Sequence, residues 1–566
     1  MATFAGTPGD DIFTGGIDAD TATGAGGNDR LTGADGSDIL SGGSGADTLD
    51  GGAGDDNLYS ADRSPPFNLP YYGNSYVLPV LDTGTEVDTL KGGDGSDRFF
   101  AGYGDNIDGG ADGSYGDYLY ISFMGAPSGV TADFGLATQT IGGGVITGIE
   151  NISYVQGSRF GDNINVRANV GGYSDFTAIS GMDGNDTLTA GYYTGAMMGD
   201  SGDDVVDGRP SQYLQLVDGG AGNDTLYTNS NTFGAASGGA GEDMIFAHGQ
   251  VHGGAGNDTI AMQWTYYSDP VFGDEGDDKI TAADSANHMA GGSGADTLTG
   301  GGGADWLFSA DFAPGGAGAA DDMGLEHDRV SGGDGSDSLA IGYGDDADGG
   351  SGTDTLRLSL GGATSGVTLD TAGIASGAPF SLGGGVIQGV ETLLYLRGSE
   401  FADRLTLATQ GVLLSVDGGG GNDTFTSQSS SASVLGGAGD DRLISGAAAD
   451  TFDGGAGVDT IDYSGAGSAV TVDLRAGTGG GGDTLLRVEA AIGTAFNDTM
   501  VGAGNGSMLT GGAGSDRFDL SQRDSATLGS GADLVVVTAG SHSAGAQGSV
   551  ITVTDWTAED RLQFGS

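Results

Sequence analysis

Apolar residues along this chain fall into a nine-residue rhythm. From Gly6 the sequence divides without a gap into GTPGDDIFT, GGIDADTAT, GAGGNDRLT, GADGSDILS, GGSGADTLD and GGAGDDNLY, and the eighth residue of each unit is apolar: Phe13, Ala22, Leu31, Leu40, Leu49 and Leu58. Glycine at positions 1, 2 and 4 allows backbone angles that other residues reach only at a cost. Each unit therefore predicts a tight turn followed by a three-residue strand, as in Thr48-Leu49-Asp50, whose middle side chain faces inward while its neighbours face water. Two units close one coil of a flattened solenoid, and coils stack at about the 4.8 Å inter-strand spacing.

The same frame returns at 181–207, 273–308, 418–462 and 493–519. Longer segments that resemble one another interrupt it: GVTADF…GGGVITGIENISYVQGSRFGDNINV (129–166), GVTLDT…GGGVIQGVETLLYLRGSEFADRLTL (366–407) and AVTVDL…GGDTLLRVEAAIGTAFNDTMV (469–501). Their alternation of apolar and polar residues predicts strands. Each ends in a unit with Phe160, Phe401 or Phe496 at position 4 in place of Gly, so these are expected to be rungs whose side chains fill the space an ion would take.

A larger duplication overlies the short repeat. GGSGADTLDGGAGDDNLYSAD (42–62) returns as GGSGADTLTGGGGADWLFSAD (291–311), and GGDGSDRFFAGYGD (92–105) returns as GGDGSDSLAIGYGD (332–345). The copies differ in the insertion after Ser-Ala-Asp. In the first it is Pro- and Tyr-rich, with Tyr71, Tyr72 and Tyr76 offering either a cover for the solenoid edge or a stacking surface for sugars or a neighbouring subunit. The expected segments are 1–60, 181–310 and 418–519 as repeat arrays; 61–180 and 311–417 as insertion, short repeat stretch and rungs; and 520–566, richer in apolar runs, as a C-terminal cap or secretion-related segment. The fold class is all-β: a parallel β-roll or β-helix solenoid of nine-residue repeats with short metal-free rungs and a β-rich cap.

Composition adds the chemistry. Among 566 residues there are 118 Gly, 78 acidic and 18 basic side chains, a net charge of −60. Such a surface excludes nucleic acid as a partner. Cysteine is absent, which removes disulfides and thiolate metal sites. No apolar run approaches the roughly 20 residues of a membrane-spanning helix, and MATFAGTPGDD lacks the basic and apolar stretches of a cleaved secretory signal. Gly-Asp-Ser-Gly at 199–202 has the look of a serine-protease nucleophile, yet Ser201 is simply the third residue of a nine-residue unit. His248 and His252 lie between strand units without an obvious third zinc ligand. No HExxH, Lys-terminated phosphate loop or nucleophile elbow occurs, and Lys91 and Lys279 are the only lysines. No catalytic residue is expected.

Position 6 of the units is Asp. Residues 18 apart fall on one edge of the solenoid, so Asp11, Asp29 and Asp47 form one row and Asp20, Asp38 and Asp56 another. Unneutralised, such rows repel. A hard divalent cation relieves them, and Ca2+ suits carboxylates combined with backbone carbonyls. The expected ligands continue through Asp88, Asp97, Asp186, Asp204, Asp224, Asp243, Asp258, Asp278, Asp296, Asp305, Asp328, Asp337, Asp346, Asp354, Asp423, Asp441, Asp450, Asp459, Asp498 and Asp516. AGYGDNID at 101, the unit at 190 and SQSSSASVL at 427 are expected to lack the ligand.

GGSGADTLD, GGAGNDTLY (219–227), GGAGNDTIA (253–261) and GGAGSDRFD (511–519) resemble the RTX, or haemolysin-type, calcium-binding nonapeptide G-G-x-G-x-D-x-U-x. Copies recur from residue 6 to about 519. The resemblance implies a calcium-loaded parallel β-roll, export by a type I secretion apparatus through an uncleaved C-terminal signal, and an extracellular or cell-surface location. The function expected is a non-enzymatic calcium-binding protein that folds on Ca2+ after export, with a structural, surface-layer, matrix or adhesive role. Its partners would be calcium, itself in a lattice or filament, or cell-surface polysaccharide. The calcium-binding portion of a secreted enzyme or toxin, and a β-helix enzyme acting on polysaccharide, stay open as alternatives.

Overall fold

The computed structural model describes residues 1–62, 67–71, 74–78, 81–166, 177–229, 234–264, 270–310, 322–374, 376–408, 414–428, 431–537 and 550–565. Chain contacts divide it into two units, Met1–Ala283 and Asp284–Ser566. The division falls inside the 181–310 stretch assigned to a single array, and it places one copy of the large duplication in each unit. Among the described residues the only helical pieces are Thr371–Ile374 and the 3-10 turn Gly480–Gly482, and no helix is long and apolar enough to cross a membrane.

In the first unit, one face stacks Thr3–Ala5, Thr21–Gly26, Ile39–Ser44, Asn57–Tyr59, Arg98–Ala101, Tyr118–Ser122 and Asn151–Gln156 in parallel. The opposite face stacks Ile12–Thr14, Arg30–Asp35, Thr48–Ala53, Thr89–Gly95 and Asn106–Asp112. Thr3 lies beside Thr21 and Ile12 beside Arg30, so one coil is two nine-residue units, as the pattern requires. From Thr131 a further parallel stack runs through Asn163–Asn165, Thr187–Thr189 and Val205–Asp207 to Lys279–Thr281. The insertion after Asp62 forms a hairpin, Phe67–Tyr71 with Asn74–Leu78, which leaves the solenoid register undisturbed. Tyr72 and the side chains of Tyr71 and Tyr76 lie outside the described residues.

The second unit repeats the plan. His288–Ser293, Trp306–Phe308, Ser338–Ile341, Thr355–Ser359 and Thr392–Arg397 stack on one face, and Thr297–Gly302, Arg329–Gly335 and Asp346–Gly352 on another. The region expected to be a C-terminal cap or secretion-related segment continues the coils: Ser525–Ser530 and Thr552–Thr554 extend one stack, Leu534–Val537 and Arg561–Phe564 another.

Many strands are longer than the expected three residues, while others, such as Asn57–Tyr59 and Thr187–Thr189, keep that length. Thr48–Ala53 runs through positions 7 to 9 and on into positions 1 to 3 of the next unit. Glycine lacks a side chain but keeps its N–H and C=O, so the ladder continues where the apolar pattern stops. Position 8 forms the core: Ala22, Leu31, Leu40, Leu49 and Leu58 are fully buried, as are Leu188, Leu226, Leu298 and Phe518. Phe13, in the first coil, is only half-buried and stacks on Phe4 at 5.3 Å.

Candidate metal-binding rows

The position-6 carboxylates form ladders. The backbone N–H of each donates to Oδ1 of its counterpart one coil further on: Asp11 to Asp29 at 2.7 Å, Asp29 to Asp47 at 2.7 Å, Asp47 to Asp88 at 2.6 Å and Asp88 to Asp105 at 2.9 Å. A second ladder runs from Asp20 through Asp38, Asp56, Asp97 and Asp117, where the Asp117 N–H donates to Glu150 Oε2. The third climbs from Asp162 through Asp186, Asp204, Asp224, Asp243 and Asp258 to Asp278. In the second unit Asp305, Asp337 and Asp354 end on Glu391. Asp403, Asp423, Asp441 and Asp459 end on Glu489. Asp296 donates to Asp328 and Asp498 to Asp516 in the same way.

Oδ1 is thus satisfied, and in a subset of the ladder aspartates Oδ2 is not. In Asp29, Asp38, Asp47, Asp56, Asp97, Asp186, Asp204, Asp224, Asp243, Asp258, Asp305, Asp337, Asp354, Asp423, Asp441, Asp459 and Asp516 this oxygen is buried without a hydrogen-bond partner. It lies against the position-1 glycine of its own unit, close to the carbonyl of the position-1 residue one coil on. A Cβ on Gly51 would strike Asp56 Oδ2 and come within 2.7 Å of the Gly92 carbonyl, and one on Gly42 would strike Asp47 Oδ2 and approach the Ser60 carbonyl equally closely. Each small space is lined by a carboxylate oxygen and carbonyl oxygen, with no side chain to fill it. An orphaned buried anion beside carbonyls suits a hard cation with many oxygen ligands, which is the preference of Ca2+.

Burial is also the first cause of upward pKa shifts along the rows, reinforced by neighbouring carboxylates and offset in part by the donated N–H. Asp97, Asp204, Asp441 and Asp516 are pushed up to about 6, Asp56, Asp224 and Asp258 to about 7, and Asp186 and Asp423 to about 8. Without a cation, these buried carboxyls favour their protonated form more than exposed ones do.

One expected ligand sits elsewhere, and others are already satisfied within the chain. Asp346 points out of the row, with His327 Nε2 at 3.1 Å and Arg329 Nε at 3.5 Å. Its neighbour Asp345 takes the row position instead, accepting from Asp328 N–H at 3.0 Å. Likewise AGYGDNID places Asp105 in the row, where it accepts from Asp88 N–H at 2.9 Å. Both slips come from a shortened turn that sets the ladder partners 17 residues apart, a spacing readable in the sequence once the strict period of nine is relaxed. Asp450 has both oxygens within reach of donors, from Ala432 N–H, Ser427 and Ser445. Asp11 Oδ2 accepts from Thr7, and Asp20 Oδ2 from Gly16 N–H. Asp278 and Asp296 keep their ladder places. Asp533, in the region expected to be a cap, carries an orphaned Oδ2 of the same kind.

The metal-free rungs are filled differently from the expectation. Phe160, Phe401 and Phe496 are each 44 % exposed and face outward. The position-2 hydroxyl does the filling. Ser158 Oγ donates to Asp162 Oδ1 at 2.8 Å, Ser399 Oγ to Asp403 Oδ1 at 2.9 Å, and Thr494 Oγ1 to Asp498 Oδ1 at 2.9 Å, while the N–H of each donates to Oδ2. Both carboxylate oxygens are satisfied internally, which removes Asp498 from the orphaned set. Where Ser or Thr occupies position 2, the turn supplies donors to the Asp in place of a cation.

Ser201 is the exposed last residue of the strand Thr194–Ser201, with its N–H bonded to the Met182 carbonyl. His252 Nδ1 is 3.0 Å from Asp274 and its ring stacks on Phe272 at 4.6 Å. His542 lies outside the described residues.

The family model of the RTX calcium-binding nonapeptide repeat (4 copies) matches residues 5–40, 32–62, 173–192, 216–231, 265–298, 272–307, 433–465 and 492–522. These stretches carry many of the orphaned carboxylates. No curated protein matches the chain.

Proposed function

We propose that this chain, a calcium-binding RTX repeat protein of parallel β-roll fold, is a non-enzymatic extracellular protein whose folding is completed by Ca2+ after export through a type I apparatus. The observation that carries the reading is the row of buried, unpartnered Oδ2 atoms beside position-1 carbonyls. A folded state with this many desolvated carboxylates opposes its own formation where Ca2+ is scarce. Outside the cell, Ca2+ binds only the folded state and draws the equilibrium over. Duplicated modules supply length and multivalency, which suits a structural, surface-layer, matrix or adhesive role.

Chelator-treated protein titrated with Ca2+, and separately with Mg2+, tests this by circular dichroism and light scattering together. A coil-to-β transition with Ca2+ and a coincident rise in scattering are expected. A chain fully folded in excess chelator overturns the folding mechanism, and turnover of alginate or pectin by the loaded protein overturns the non-enzymatic reading.

A further inference from the structure

In each unit one carboxylate joins a ladder from outside the nine-residue register. Asp82 stands at the end of the first insertion and Asp322 at the end of the second, both within the pattern Asp-x-Gly-x-Glu-x-Asp: DTGTEVD at 82–88 and DMGLEHD at 322–328. One oxygen each from Asp82, Asp88 and Asp105 lies within 4.8 Å of the others, and Asp322, Asp328 and Asp345 repeat the arrangement.

The two clusters share their supports. Ser60 Oγ donates to Asp82 Oδ2 at 2.9 Å and Gly84 N–H to Asp82 Oδ1 at 2.7 Å; Ser309 and Gly324 do the same for Asp322. Gly102 N–H holds Asp105 and Gly342 N–H holds Asp345, at 2.8 and 2.7 Å. Asp88 is 1 % and Asp328 2 % exposed. The Oδ1 of each accepts the ladder N–H, from Asp47 and Asp296 respectively, and among the described residues Oδ2 receives no donor. Each cluster therefore centres on an almost wholly buried carboxylate, only one of whose oxygens accepts a hydrogen bond, set among two further carboxylates that are already oriented.

We propose that these clusters are two divalent-cation sites of a second kind, built by the insertions and binding Ca2+ more tightly than the nonapeptide rows. The inference rests on the calcium-binding reading above and adds a separate class of site to it. Affinity for Ca2+ rises with the number of ligand charges and the rigidity of the site, and here three anionic groups on fixed supports meet where the repeat rows offer a carboxylate and carbonyls. Each unit then carries one such ion, and these sites fill first as Ca2+ rises.

Full-length protein stripped with chelator and titrated with Ca2+ against a chromophoric competitor should show two tight equivalents per chain. Asp82→Asn and Asp322→Asn should each weaken one of them at least about tenfold, and the double variant both, while Asp204→Asn alters only the weaker class. Unchanged tight binding in the double variant, or its loss in Asp204→Asn, overturns the proposal. Crystals grown with Ca2+ give a reading that does not depend on the variants folding. Anomalous density is expected among Asp82, Asp88 and Asp105; density in the repeat rows but not there overturns this inference alone, and none in either place overturns the calcium reading as well.

Discussion

Replacing one ladder aspartate should change stability in opposite directions with and without Ca2+. Asp56 is fully buried, accepts the Asp38 N–H at 2.7 Å through Oδ1 and leaves Oδ2 orphaned. Burial, then the charges of Asp97, Asp38 and Asp55, push its carboxyl up to about 7. Against an unfolded value near 3.8, ionising it in the metal-free folded state at pH 8 costs up to about 4 kcal/mol. Asp56→Asn keeps an acceptor for Asp38 and removes the charge, so in chelator it should stabilise by about 1 to 4 kcal/mol. With Ca2+ at about a thousand times its dissociation constant, the lost site costs about 4.1 kcal/mol, which matches or exceeds that relief, so the same substitution should destabilise by up to about 3 kcal/mol. Urea unfolding at pH 8, followed by far-ultraviolet circular dichroism in both conditions, reads the two signs. If chelated protein is too open to show a transition, the variant should retain more β-signal than the parent. An effect of the same sign in both conditions would refute the idea that the orphaned oxygen awaits a cation.

Acidity should act on the metal-free protein in the direction opposite to ordinary acid denaturation. Carboxyls raised to between about 6 and 8, such as Asp97, Asp56 and Asp186, bind protons in the folded chain before the unfolded chain does. Chelated protein should therefore gain stability as pH falls from about 8 toward 4 and lose it as pH rises, whereas Ca2+-loaded protein should weaken on acidification because protons compete; a chelated sample melting higher at pH 8 than at pH 5 would contradict this. Gly51→Ala, whose methyl would strike Asp56 Oδ2 and the Gly92 carbonyl, should cost about 1 to 3 kcal/mol and raise the Ca2+ needed for folding. Gly16→Ala, with nothing within 4 Å of its Cβ, should leave the Ca2+ midpoint in place, and equal midpoints for the two variants would count against the cradle. Ser158→Ala removes the hydroxyl that satisfies Asp162 and should cost about 1 to 3 kcal/mol in thermal melts. A gain in Ca2+ stoichiometry in that variant would mean that the hydroxyl had been excluding an ion.

The division between sequence and structure follows from what a nine-residue period encodes. Turn glycines, a buried position 8 and an Asp at position 6 are local choices. They were enough for the parallel coils, the 18-residue register and the two carboxylate rows at Asp11 to Asp56, because each coil meets only its neighbours. Departures from the period were decided in three dimensions. The ladder needs a carboxylate under each N–H at a fixed rise, so a shortened turn puts Asp105 and Asp345 in place and turns Asp346 outward. Phe160, Phe401 and Phe496 marked the metal-free rungs, but Ser158, Ser399 and Thr494 fill them, since only a short donor at position 2 reaches the carboxylate. Asp82 and Asp322 carried no repeat signal, and only the tertiary structure brings each of them to carboxylates 6 and 23 residues further along the chain. Periodicity specified which coil lies beside which; close packing of buried charge decided which oxygens were left without a partner.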